Sequence, residues 1–104
     1  MADNGGAFAA LKAYENWLET HEDHLLPWVN YNSFQLFFIG LAAPYCYNMR
    51  PSGLRKWITE APHALPELRI NYVLSNLPEF SKTFGCLSGV NFSSVQKPEG
   101  CKFW

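Results

Sequence analysis

Residues 34–43 constrain the fold more than any other part of the chain, because they are apolar on nearly every face. A helix of this kind is normally buried on all sides. Asn32 is a suitable N-cap, and Gln35 follows it at the spacing of a capping box. Pro44 should kink or end the helix. The sequence therefore predicts a buried helix around which other elements must pack.

The segment before this run favours a first helix. From residue 7 to about residue 19, apolar side chains recur every three or four residues, as on one face of a helix. Gly5 and Gly6 are poor in a helix interior, so propensity alone starts this helix after them. Residues 21–24 are polar and favour a solvated helix end.

The second half of the chain is divided by prolines. Ser52 is a plausible N-cap for a short helix that ends at Ile58, and Pro78 can open another helix that Gly85 closes. Residues 67–77 are ambiguous, because they alternate like a strand and also carry apolar side chains at helical spacing. A mainly α fold is the better overall interpretation.

The amino-acid composition favours a segment of a larger protein. The chain has 104 residues, of which 48% are hydrophobic and 16% aromatic, and a domain of this size has difficulty hiding so many rings. The net charge is −1 and the basic residues are scattered, so nothing supports nucleic-acid binding. The first six residues do not resemble a signal, and the longest apolar stretch is too short to span a bilayer. Any secretion signal or membrane anchor is therefore expected upstream.

Three cysteines, Cys46, Cys86 and Cys101, leave two interpretations open. They include no Cys-x-x-Cys pair and no adjacent histidine, so they do not form a compact zinc motif. In an extracytoplasmic protein, an odd number leaves at least one thiol that pairs elsewhere. In a cytosolic protein, all three would be ordinary buried thiols.

A series of short motifs runs through the whole chain in a fixed order. They are Ala2-Asp3-Asn4-Gly5-Gly6 with Tyr14, Gln35-Leu36-Phe37-Phe38, Cys46, Arg50-Pro51, His63, Arg69, Asn76, Glu79-Phe80, Phe84, Cys86 and Cys101-x-Phe103-Trp104. Their order and almost gapless spacing resemble the C-terminal segment of the neprilysin and endothelin-converting enzyme family of zinc metallopeptidases.

The resemblance implies a fold and a cofactor. Residues 1–104 would form the C-terminal, mainly α part of a thermolysin-like (gluzincin) peptidase domain, without its zinc-binding helix. In this family, a His-Glu-x-x-His helix supplies two zinc ligands and the general base, and a glutamate four residues before the position of Asp3 is the third ligand. Both would lie upstream of Met1. Zinc is therefore expected in the complete parent enzyme, and none is expected on this chain alone.

Three residues resemble site residues of the family. Asp3 resembles an acid that orients a zinc-bound histidine, or it simply caps the first helix. His63, in a proline-bracketed loop at residues 61–66, resembles the histidine that hydrogen-bonds the oxyanion, or it is an ordinary loop histidine. Arg69 resembles the arginine that holds substrate backbone carbonyls, or it is a surface arginine or part of a helix-end salt bridge. Ala61 stands where the family has an aspartate, two residues before the histidine.

The resemblance also gives the cysteines a role. Counterparts of Cys46, Cys86 and Cys101 each pair with a cysteine upstream in the ectodomain, and such disulfides imply an extracellular setting. Asn91 begins a sequon, Asn91-Phe92-Ser93, that is consistent with glycosylation. The parent is thus expected outside the cell or at its surface, either secreted or as a type II membrane protein.

These features together predict the C-terminal portion of a zinc metalloendopeptidase that hydrolyses small peptides. Its expected partners are the upstream remainder of the peptidase ectodomain and peptide substrates. Alone, the chain is expected to be inactive and to fold poorly, because it lacks zinc ligands and has unpaired cysteines and excess aromatic residues. A rival interpretation is a truncated, non-catalytic paralogue that acts as a binding module. An unrelated cytosolic interaction domain is a third.

Overall fold

A computed structural model describes residues 2–86 of the chain. This part contains five α-helices, one 3-10 helix at Ala43–Tyr45, and no β-strand. The α-helices are α1 (Ala2–Leu18), α2 (Ser33–Ala42), α3 (Pro51–Glu60), α4 (Pro66–Ser75) and α5 (Pro78–Phe84). The mainly α fold class is therefore confirmed.

The apolar helix α2 starts and ends where local chemistry predicts. The Asn32 side chain accepts a hydrogen bond from the Gln35 backbone N–H, and the Gln35 side chain accepts one from the Asn32 backbone N–H, both at 2.9 Å. Pro44 lies in the 3-10 helix that directly follows α2, so the α-helix ends before it. Both local predictions are confirmed.

Burial of α2 is less complete than its composition predicts. Phe38 is 1% exposed, whereas the neighbouring Ile39 is 41% exposed. Residues 2–86 thus cover one face of α2, and the expectation of burial on all sides is not met within this part of the chain.

Helix α1 begins at Ala2, so the prediction of a start after Gly6 was wrong. Ala7 and Leu11 are buried, and α1 packs against α4. Tertiary contacts thus outweigh the low helix propensity of the two glycines, which costs about 1 kcal/mol for each. The polar residues 21–24 are exposed and follow the helix, in a segment that leads to α2.

Two further predictions are settled by the helices of the second half. Ser52 lies inside α3, because Arg50 is the N-cap and Pro51 is the first helical residue, so the predicted cap was wrong. Of the ambiguous residues 67–77, residues 67–75 belong to α4. Leu68 and Tyr72, which support alternation, are 47% and 57% exposed, whereas the residues at helical spacing are buried.

Helix α5 begins at Pro78 and ends at Phe84, directly before Gly85, as predicted. Gly85 has a φ of 64°, a left-handed conformation that glycine adopts without a steric penalty, and it closes the helix.

The core lies where α1, α2, α4 and α5 meet. Phe38 is its centre, with ring centroids of Phe37 and Phe80 at 5.3 Å and of Phe84 at 6.4 Å. The other buried residues are Ala7, Leu11, Ile70, Val73, Leu74 and Leu77. Helix α3 buries no residue completely. The core therefore holds α1 and α4 in fixed positions, and both of these helices carry residues of the candidate site.

Candidate functional site

The candidate site is built on an ion pair between the first turns of α1 and α4. Arg69 donates two parallel hydrogen bonds to the Asp3 carboxylate, from Nε to Oδ2 at 2.7 Å and from Nη2 to Oδ1 at 2.6 Å. Both side chains are about a quarter exposed, at 27% for Arg69 and 29% for Asp3. Such bidentate, charge-assisted hydrogen bonds are among the stronger polar interactions in proteins, and they fix the orientation of the guanidinium group relative to the carboxylate.

This contact shifts the protonation equilibria of both residues. The pKa of Asp3 lies below its usual 3.8, because Arg69 donates hydrogen bonds to the carboxylate and attracts its charge, while burial acts in the opposite direction. The nearby charge of His63 also lowers the pKa of Asp3. The Asp3 hydrogen bond likewise raises the pKa of Arg69. The pair is therefore fully ionised at neutral pH.

The guanidinium group of Arg69 retains capacity for a further partner. Its Cζ lies 5.2 Å from the ring centroid of Tyr45, in the 3-10 helix that follows α2. Arginine has five N–H donors, and Asp3 takes two of them. Three N–H donors remain for another acceptor. The Asp3 carboxylate and the Tyr45 ring hold the guanidinium group that carries them.

A second polar contact lies beside this pair. The side-chain amide of Asn76 donates to Asn4 Oδ1 at 3.4 Å. Asn4 follows Asp3 in α1, and Asn76 is the C-cap of α4, so both ends of α4 are tied to the first turn of α1.

His63 lies in the loop between α3 and α4, and its side chain is exposed. The Trp57 indole Nε1 donates to the backbone carbonyl of His63 at 3.0 Å. The imidazole itself makes no hydrogen bond or ion pair within residues 2–86. Ala61, at the position where an acid was expected from the family pattern, offers no side-chain acceptor.

The structure brings two of the three sequence-predicted site residues into contact. Asp3 and Arg69 bond directly, and His63 is near enough for its charge to influence Asp3. Asp3 lies in the first turn of α1, and its carboxylate binds Arg69. The Arg69 ion pair does match the simpler alternative of a salt bridge near a helix end. Sequence reasoning missed Trp57, for which no motif or spacing gave a signal.

The described residues do not fit a zinc site. Within residues 2–86, no three side chains of histidine, cysteine, aspartate or glutamate come together in a way that could hold a metal ion. The full sequence also contains no His-Glu-x-x-His motif.

Cys46 and Cys86 are both exposed and are not bonded to each other. Cys46 follows the 3-10 helix, and Cys86 follows the glycine that ends α5. Cys101 and the sequon at Asn91 lie outside the described residues. Pairing of the three cysteines with upstream cysteines stays a prediction. Among the described helices, none combines the length and apolar character needed to cross a membrane.

Comparison with known proteins places the chain in the class of metallopeptidases. Residues 1–99 match peptidase family M13, and the chain belongs to that family. It is 36% identical to endothelin-converting enzyme 1 of Homo sapiens, 37% identical to an endothelin-converting enzyme homolog of Locusta migratoria and 34% identical to neprilysin-2 of Drosophila melanogaster. These matches cover all of this chain but 13%, 14% and 13% of the relatives. No solved structure matches the chain significantly. The resemblance to the neprilysin and endothelin-converting enzyme family is thereby confirmed.

Proposed function

We propose that this chain is the C-terminal portion of a zinc metalloendopeptidase that hydrolyses peptide bonds in small peptides, and that it is inactive alone. The observation that carries the proposal is the two-pronged Asp3–Arg69 pair, beside an exposed His63. It joins two of the three residues that the family pattern marks as site residues, although 66 positions separate them.

His63 is the proposed oxyanion donor. Its imidazole is exposed and has no hydrogen-bond partner within residues 2–86, so a ring N–H is free to donate to a substrate oxygen. When a nucleophile attacks the scissile carbonyl, negative charge develops on that oxygen. A donor placed there stabilises the transition state more than the bound substrate, and thus raises kcat.

Arg69 is the proposed substrate-binding residue. Three of its N–H donors are not used by Asp3, and backbone carbonyls of a peptide are suitable acceptors. Because Asp3 and the Tyr45 ring hold the guanidinium group, little side-chain freedom is lost when a peptide binds.

Asp3 is proposed to have two partners. Arg69 occupies one acceptor site on each carboxylate oxygen, and an ionised carboxylate offers about four such sites. The remaining sites suit the N–H of a zinc-bound histidine that this chain does not contain. Zinc, held by the rest of the enzyme, would supply Lewis-acid activation of water and of the substrate carbonyl.

The proposed partner of this chain is the upstream remainder of the peptidase ectodomain. Residues 2–86 leave large apolar side chains uncovered, including Trp28 at 94%, Leu25 at 65% and Ile58 at 65% exposure. The exposed half of α2 adds Ile39 to this surface. These side chains, with a small core, support a segment that completes its fold against another part of the same enzyme.

An extracellular or cell-surface location is proposed with this function. Cys46 and Cys86 are exposed and so are accessible to upstream cysteines, with which they would form disulfides in an oxidising compartment.

A chimera tests the proposal. Residues 1–104 replace the matched segment of human endothelin-converting enzyme 1, and hydrolysis of a fluorogenic peptide is measured together with zinc content. We expect the chimera to hydrolyse the peptide and the isolated chain to be inactive. A chimera that folds and retains zinc, yet shows no hydrolysis, would overturn the peptidase proposal and favour the non-catalytic binding module.

A further inference from the structure

One aromatic residue connects three parts of the chain around the His63 loop. Trp57 lies in the last turn of α3, and its Nε1 donates to the His63 carbonyl oxygen at 3.0 Å. The Tyr47 ring packs against the indole, with centroids 5.9 Å apart and planes inclined by 48°. The Trp57 carbonyl also accepts a hydrogen bond from Ala61 N at 3.0 Å, which ends α3.

The side chain of His63 has no comparable restraint of its own. Within residues 2–86 it makes no hydrogen bond, and Ala61, two residues earlier, cannot supply an acceptor. The direction of the Cα–Cβ bond from which the imidazole projects is therefore set by the backbone at His63. Pro62 narrows the conformations of the residue before it, and the Trp57 hydrogen bond fixes the peptide group that follows the His63 Cα.

We propose that Trp57 is a positioning residue for His63, and that its indole N–H holds the His63 carbonyl so that the Cα–Cβ bond that carries the imidazole keeps one direction. This inference rests on the proposed function, because it assigns Trp57 a part in placing the oxyanion donor. Displacement of a catalytic group by about 1 Å costs up to roughly 100-fold in rate. The Trp57 hydrogen bond limits such displacement of His63 in an exposed loop.

Solvent exchange of the indole protons tests the hydrogen bond in the complete 104-residue chain. The Trp57 Nε1 proton is compared by NMR with that of Trp28, which is 94% exposed and serves as an internal reference. The resonances are assigned with Trp57→Phe and Trp28→Phe. We expect slower exchange at Trp57, and equal rates at the two positions would overturn the inference.

Kinetics of the chimera test the positioning role. Trp57→Phe keeps a ring against Tyr47 and removes the N–H donor, whereas Trp17→Phe makes the same chemical change at a partly exposed indole that is stacked on His21. We expect Trp57→Phe to lower kcat by roughly tenfold, with KM changed by less than about twofold, and Trp17→Phe to leave both unchanged. A change confined to KM, or no change in kcat, would contradict the positioning role.

A further variant separates the hydrogen bond from packing. If Trp57→Leu impairs the chimera while Trp57→Phe retains full kcat, the ring and not the N–H matters, and the inference fails. An unmodified chimera without activity overturns the proposed function, whereas equal indole exchange rates together with an active chimera overturn this inference alone.

Discussion

Asp3 and Arg69 are 66 positions apart in the sequence, yet two hydrogen bonds of 2.6 and 2.7 Å join their side chains. The contact fastens the first turn of α1 to the first turn of α4. It also orients the guanidinium group that we propose to bind substrate. The same pair of residues therefore contributes to stability and to the candidate site, and the two contributions can be measured separately.

Asp3→Asn should destabilise the isolated chain, because the amide keeps the shape of the side chain but leaves the Arg69 charge without its counter-ion. We expect the thermal unfolding midpoint, followed by circular dichroism, to fall by a few degrees. Glu67→Gln is the matched control, since it removes an exposed acid from the first turn of α4. Equal effects of the two substitutions would show that only the interaction of an acid with the helix dipole is lost.

The contribution of Asp3 should depend on pH. Because the pKa of Asp3 in the folded chain lies below its usual 3.8, the ion pair stabilises the fold at pH values above 3.8. That stabilisation is lost as the pH falls through the lowered pKa. Urea unfolding of the original chain and of Asp3→Asn, at several pH values, should give a constant difference near neutrality that shrinks below about pH 4. A difference that is independent of pH would contradict this.

Asn32→Ala should remove the capping box of α2. The substitution eliminates the acceptor for the Gln35 backbone N–H and should cost about 1 kcal/mol in the free energy of unfolding. Asn30→Ala, two residues earlier in an exposed position, is the control and should be close to neutral. The prediction fails if the two variants have the same urea midpoint.

Phe38→Ala should be the most damaging of the core substitutions within α2. Its ring is 1% exposed and contacts three other phenylalanines, so truncation should cost about 3–5 kcal/mol. We expect that Phe38→Ala shows no cooperative urea-unfolding transition, even when unfolding is measured at low temperature. Ile39→Ala, at a side chain that is 41% exposed, should cost much less in the isolated chain. If Ile39→Ala is equally damaging there, the exposed face of α2 is covered within the chain itself.

Local signals predicted much of the fold. The capping box at Asn32 and Gln35, the end of α2 before Pro44, and the closure of α5 at Gly85 each depend on residues close in sequence. The start of α1 was missed, because the contacts that stabilise its first turns, such as those of Asp3 with Arg69 and of Asn4 with Asn76, are made with distant residues. Residues 67–77 remained ambiguous for the same reason, since only burial distinguishes the two periodicities.

The sequence predicted individual residues of the candidate site, but it did not predict how they are arranged in space. Family resemblance marked Asp3, His63 and Arg69, but nothing in their spacing indicated that Asp3 and Arg69 would pair. Trp57 gave no sequence signal, because a hydrogen bond from an indole to a loop carbonyl depends on how α3 ends.

The most direct test of the central proposal is the kcat of the endothelin-converting enzyme 1 chimera with His63→Ala, because alanine has no side-chain donor. Removal of an oxyanion donor should lower kcat by about 100-fold, with zinc content unchanged, while His24→Ala at an exposed position outside the site should leave kcat unaltered. If His63→Ala retains the kcat of the unmodified chimera, His63 is not the oxyanion donor and the proposed site is wrong.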